Sequence, residues 1–268
     1  MLVETCVGRL FVDRVGRGPD VVLWPSLLTD GAMWRPQVDA LRERYRFTIV
    51  DPPGHGRSQA LRRPYTLDDC VEGAVQLLAA CGLSRAGWAG LSWGGMVGMR
   101  LASRHPERVA ALALLDTSAR RDRPAKLAAY RALAAVERIA GPVRALGRVL
   151  LPVMFCRETL RQHPELAEAF LDKLVRMDRV ALAYAVDAVM FSRRDVTSEL
   201  SRITAPTLVL VGEQDVATPP REAEHLVAHV PGAQLVRIPR AGHLTTLEQP
   251  EAVTAALDAF FARTLGAG

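Results

Sequence analysis

The chain has 268 residues, 49% of them apolar and 24% charged, with a formal net charge of +5. This balance supplies a sizeable core and excludes a disordered chain, and no run of about 18 uncharged apolar residues exists to span a membrane. Arginine carries almost all of the positive charge, because Lys126 and Lys173 are the only lysines, and interspersed acids leave no nucleic-acid-binding stripe.

Taken in chain order, Leu2–Val7 and Leu10–Arg14 predict a hairpin around Gly8-Arg9. Val21–Trp24, after the breaker Gly18-Pro19, reads as a buried strand, and Phe47–Val50 as another that ends at Asp51-Pro52-Pro53-Gly54. Leu67–Cys81 carries apolar residues at helical spacing, with Thr66 and Asp69 placed as a capping box and Gly82 as the stop. Strand Ala86–Leu91, helix Gly95–Arg104 and strand Val109–Leu115 follow. After a long helical stretch come strand Thr207–Val211, helix Ala223–His229, strand Leu235–Ile238 and helix Pro250–Leu265. Strands alternating with helices predict an α/β fold with a mostly parallel central sheet flanked by helices. Residues 120–202 break the alternation and offer three helices, Lys126–Ile139, Pro164–Arg176 and Val180–Phe191, but no strand. The expected division is a core of residues 1–119 and 203–268 with an inserted helical lid over residues 120–202.

The four cysteines lack C-x-x-C spacing and read as small buried apolar residues of a reducing compartment. With no basic and apolar leader at the N-terminus, the expected location is the cytoplasm.

Gly90-Leu91-Ser92-Trp93-Gly94 is a G-x-S-x-G pattern between a predicted strand and a predicted helix. A serine on such a sharp turn is strained, and side chains two residues before and after it would collide, so glycine is needed there. The helix N-terminus beneath the serine favours developing negative charge. A serine nucleophile needs a base and a group that orients the base. Asp215 follows the strand Thr207–Val211, and His243 follows the strand Leu235–Ile238. Ser92, Asp215 and His243 therefore come from three strand ends on one sheet edge, where ligand sites of open α/β sheets lie. Asp116, ending the strand Val109–Leu115, and Glu213 are rival acids. His55 reads as a loop-structuring residue, and His225 and His229 have metal-ligand spacing but no third ligand nearby, so no metal is expected.

The chain resembles the α/β-hydrolase superfamily over essentially its whole length, through Asp51–Ser58, Gly90–Gly95, Pro206–Asp215 and Ala241-Gly242-His243. Ser26-Leu27, Met33-Trp34 and Thr218-Pro219-Pro220 make it most similar to the branch of 3-oxoadipate enol-lactonases and related small esterases. The resemblance implies an oxyanion hole built from the backbone N–H groups of Leu27 and Trp93. Pro25-Ser26 stands where many relatives have His-Gly. Relatives that cleave carbon–halogen bonds or epoxides carry aspartate at the elbow, so Ser92 points away from both. It implies a cofactor-independent serine hydrolase acting on a small carboxylic ester or lactone. A C–C bond hydrolase, an acyltransferase and a ligand receptor with vestigial activity remain alternatives. Trp34, Trp93, Met154, Phe155, Met190 and Phe191 are the expected pocket wall, mainly apolar and preferring neutral substrates over dicarboxylates.

Overall fold

The computed structural model describes residues 1–266. Strands β1 (Leu2–Thr5) and β2 (Gly8–Gly16) form the predicted hairpin. Its turn lies at Cys6-Val7, earlier than expected: Gly8 pairs with Thr5, and its φ of +89° lets the chain enter β2 directly after the turn. Next come β3 (Asp20–Trp24), α1 (Arg35–Leu41), β4 (Arg46–Val50) and α2 (Leu67–Ala80). The α2 capping box is made on both sides: Asp69 N–H donates to Thr66 Oγ1 at 3.1 Å, and Thr66 N–H to Asp69 Oδ2 at 2.7 Å. Gly82, at φ +70°, ends the helix.

Strand β5 (Ala86–Leu91), helix α3 (Trp93–Arg104) and strand β6 (Val109–Leu115) follow as a β-α-β unit whose two strands pair in parallel. Between β6 and β7 (Thr207–Gly212) lie α4 (Pro124–Ala140), α5 (Arg144–Met154), α6 (Arg157–Gln162), α7 (Pro164–Leu174) and α8 (Arg179–Val186). No strand occurs there among the described residues. The third helix expected in this stretch loosens into a π turn at Asp187–Phe191. Hydrogen-bonded contacts close the neck of the excursion. Arg193 Nη2 donates to Asp122 Oδ2 at 2.6 Å, and Val196 N–H to Ala119 O at 3.1 Å. The chain finishes with α9 (Pro220–His229), β8 (Gln234–Ile238), α10 (Thr245–Glu248) and α11 (Pro250–Leu265).

The eight strands form one sheet in the order β1-β2-β4-β3-β5-β6-β7-β8, with the first two pairings antiparallel and the rest parallel. Successive side chains alternate between the two faces. In β6, Leu112 and Leu114 pack with α2, α3 and α9, whereas Ala111, Ala113 and Leu115 pack with α1 and α11. The sheet is thus covered on both sides, and the carboxyl ends of β3, β5, β6, β7 and β8 share the edge that the site occupies. No helix among the described residues is long and apolar enough to cross a membrane.

Candidate active site

Ser92 sits between β5 and α3 with φ 52° and ψ −104°, a backbone state that costs a non-glycine residue energy and persists only when its surroundings hold it. They do so through backbone contacts. Ser92 N–H donates to Leu115 O at 2.8 Å, and Ser92 O accepts from Met96 N–H at 2.9 Å and Thr117 Oγ1 at 2.7 Å. The flanking glycines are sterically required. A Cβ on Gly90 would lie 2.1 Å from Gly94 C, and one on Gly94 would lie 2.0 Å from Trp24 O.

Asp215 lies in the loop after β7, almost wholly buried, and its carboxylate is fully engaged. Oδ1 accepts from the N–H groups of Ala217 at 2.7 Å and Thr218 at 3.0 Å. Oδ2 accepts from Thr218 Oγ1 at 2.7 Å and from His243 Nδ1 at 2.9 Å. Because a carboxylate only accepts, His243 carries its proton on Nδ1 and leaves Nε2 as a lone-pair site. Burial pushes the Asp215 carboxyl upward, but His243 and the Thr218 hydrogen bonds outweigh it and hold the group below its ordinary range.

Asp116 is equally buried at the end of β6, but its oxygens accept from Gly212 N–H at 2.9 Å and Thr245 Oγ1 at 2.5 Å instead of from His243. Burial, and then the neighbouring charge of Asp215, push its carboxyl well above the ordinary range. Glu248 braces the other side of the histidine loop. It accepts from Gly242 N–H at 2.8 Å and Cys156 N–H at 2.7 Å, which ties His243 to the end of α5. Sequence reasoning missed Glu248 and Thr218. Thr218, three residues after Asp215 in a loop of capping type, left a readable signal; Glu248, inside a short helix, left none.

Leu27 lies in the turn after β3, and Trp93 is the first residue of α3. Among the described residues, neither backbone N–H is spent on a protein acceptor. His55 shapes this turn. Buried and held neutral by desolvation, it contacts Pro53 O through Nδ1 at 2.9 Å and accepts from Leu28 N–H through Nε2 at 3.2 Å. Leu28 is thereby kept at φ 67°.

Ser92, His243 and Leu27 open into one cavity of about 880 Å³, roofed by α4, α5 and α8. Met154, Met190 and Phe191 line it. Trp34, Trp93 and Phe155 do not. The Trp34 side chain is fully buried in the core beside α1, Trp93 stacks on Tyr65 with centroids 6.5 Å apart, and Phe155 meets Phe170 edge-on at 5.9 Å. Large apolar side chains next to a site gain more by filling the core than by facing a cavity. His225 and His229 lie with ring centroids 4.2 Å apart, and no metal-sized group of three ligating side chains occurs among the described residues.

A sequence model of the alpha/beta hydrolase fold matches residues 19–250. Polyketide synthase ThaQ of Burkholderia thailandensis is 34% identical over 97% of this chain, which spans only 12% of that protein. 3-Oxoadipate enol-lactonase 2 of Acinetobacter baylyi is 27% identical, the match covering 91% of this chain and 89% of the other. A thermophilic esterase from Thermogutta terrifontis, solved with malate bound, superposes with a TM-score of 0.91 at 31% identity, covering 99% of this chain and 98% of its own.

Proposed function

Because the chain belongs to the alpha/beta hydrolase fold family, we propose that it is a serine hydrolase that cleaves a carboxylic ester or lactone through an acyl-enzyme. One observation carries the reading: the strained Ser92 elbow and the His243–Asp215 pair meet in the same cavity. An esterase and an enol-lactonase among the similar proteins support the substrate class.

In this reading Ser92 Oγ attacks the carbonyl carbon while His243 Nε2 takes the hydroxyl proton. Asp215 fixes the ring tautomer and stabilises the imidazolium that forms. The N–H groups of Leu27 and Trp93 receive the oxyanion, and the α3 N-terminus adds its partial positive charge. His243 then returns the proton to the departing alkoxide, water repeats the attack on the acyl-enzyme, and the acid leaves. Each step uses a side chain or backbone group of this chain, so no cofactor is required. The residue 120–202 segment acts as a lid that selects the acyl group. A turnover screen over p-nitrophenyl esters and lactones, run beside Ser92→Ala, tests the proposal. Hydrolysis by the wild type that the variant lacks is expected, and the same rate in both would refute it.

A further inference from the structure

His243 is held through its backbone neighbours as well as through its ring. On one side Gly242 donates its N–H to Glu248 Oε1 at 2.8 Å. On the other, Leu244 donates its N–H to Met154 O at 3.1 Å. Met154 ends α5 and lines the cavity, and two residues later Cys156 N–H donates to Glu248 Oε2 at 2.7 Å. Both ties therefore converge on one carboxylate, the first directly and the second through the backbone of Met154–Cys156. The two stretches of chain are pressed together. A Cβ on Gly242 would lie 2.6 Å from Cys156 N and 2.9 Å from Phe155 C.

Glu248 is 6% exposed. A buried carboxylate is a costly way to satisfy two N–H groups, since backbone carbonyls accept without taking a charge out of water. What it adds is a free acceptor on each of two oxygens. An amide of the same shape has one oxygen and turns its NH₂ group against the second N–H. Protonation likewise puts a hydrogen on one oxygen and weakens one tie. The titratable groups around Glu248 are Asp116, whose carboxyl feels its charge, Cys156 from the lid side, and the His243–Asp215 pair. Arg157 and Arg240, the nearest basic residues in the two stretches, are exposed.

We propose that Glu248 is a positioning residue: as a carboxylate it clamps the backbone on both sides of His243 to the end of α5 and so keeps the imidazole in register with Asp215 and Ser92. The inference rests on the hydrolase reading above. It makes the lid part of the mounting of the base as well as a cover for the cavity. Burial pushes the Glu248 carboxyl above its ordinary range, against the hydrogen bonds from Cys156, Thr159 and Gly242. As pH falls through that raised value the clamp is lost, while Asp215, held low, is still ionised.

The test is Glu248→Gln, with kcat and KM followed on p-nitrophenyl butyrate. Both half-reactions use His243, so kcat should fall about 10- to 100-fold while KM stays within about threefold. In the wild type, log kcat should fall with a slope steeper than one below pH ~5, because His243 must be neutral and Glu248 ionised. In the variant the slope should stay near one. A folded variant with kcat within about twofold of the wild type, a loss carried by KM, or equal slopes in both proteins overturns the proposal. Thermal unfolding reports whether the variant folds. Should it not fold, the wild-type profile decides, and a slope of one down to pH ~4 overturns the proposal. If the wild type hydrolyses no ester or lactone, the hydrolase reading fails on its own. The mounting of His243 is then read by nitrogen NMR of histidine-labelled protein at pH ~8, with its imidazole neutral. The wild type should show the Nδ1–H tautomer and Glu248→Gln a mixture of the two. The same single tautomer in both would contradict the assignment.

Discussion

Ser92→Ala and His243→Ala should each remove nearly all turnover, and the double variant should be scarcely worse than either, because the members of such a relay act as a unit. Additive losses in kcat would contradict that coupling. The two buried aspartates separate in the same way. Asp215→Asn should lower kcat by about 10⁴, since the amide leaves His243 in the wrong tautomer. Asp116→Asn should cost little activity but change how stability depends on pH. Burial and the charge of Asp215 make the Asp116 carboxyl release its proton at higher pH in the native state than in the unfolded chain, where it does so near pH ~3.9. Stability from this group therefore falls as pH rises from that value through the raised native one. Asp215 has the opposite sign. Its contribution is present above pH ~3.9 and is lost only as the pH drops through its depressed native value. Urea midpoints between pH 4.5 and 8 should decline less with rising pH in Asp116→Asn than in the wild type. Parallel profiles would put the proton elsewhere. In sequence both acids follow an apolar strand, so chain order alone left them as rivals. Their hydrogen-bond partners, Thr245 for one and His243 for the other, separate them, and those partners come from distant segments.

Steric demand made the elbow legible, because Gly90 and Gly94 stand where any Cβ would overlap backbone. Gly94→Ala should fail to fold or lose several kcal/mol, as a core overlap without room to relax does. Gly82→Ala also faces a positive φ, but nothing lies within 4 Å of its Cβ position. It should cost only about 1 kcal/mol. Chemical denaturation of the two variants checks the contrast, and similar losses would mean that the elbow tolerates side chains. Strands buried on both faces announced themselves as short apolar runs such as Val109–Leu115. Helices α1, α5 and α6 did not. α5 contains Gly147 and Pro152, residues that weaken a helix interior and leave no helical signal there. Gly147 is there because α7 passes close by: a Cβ on it would meet Leu171 Cδ2 at 2.5 Å. In α1, Pro36 occupies the first turn, where a missing N–H costs nothing.

On the scale of the molecule, the parallel sheet gathers the three side chains at one edge while the helices between β6 and β7 enclose about 880 Å³ above them. That volume exceeds the needs of the small ester expected from sequence, because side-chain size foretold neither which way Trp34 and Phe155 point nor how far α4 stands off the sheet. Neutral p-nitrophenyl esters should gain kcat/KM from acetate to hexanoate, by up to about fourfold per methylene at ~0.8 kcal/mol per buried CH₂. Ala134→Phe, which narrows the α4 wall, should flatten the series. Rates that do not depend on chain length would mean that the acyl group does not enter this space. Everything above turns on a covalent bond at one oxygen, and the most direct measurement is the mass of the whole chain after reaction with a fluorophosphonate. One adduct per molecule, mapped to Ser92, appearing in step with loss of turnover and absent from an inactive Ser92→Ala, is the predicted result. A Ser92→Ala chain that still takes up the label, or that keeps more than about a tenth of the turnover, would contradict it.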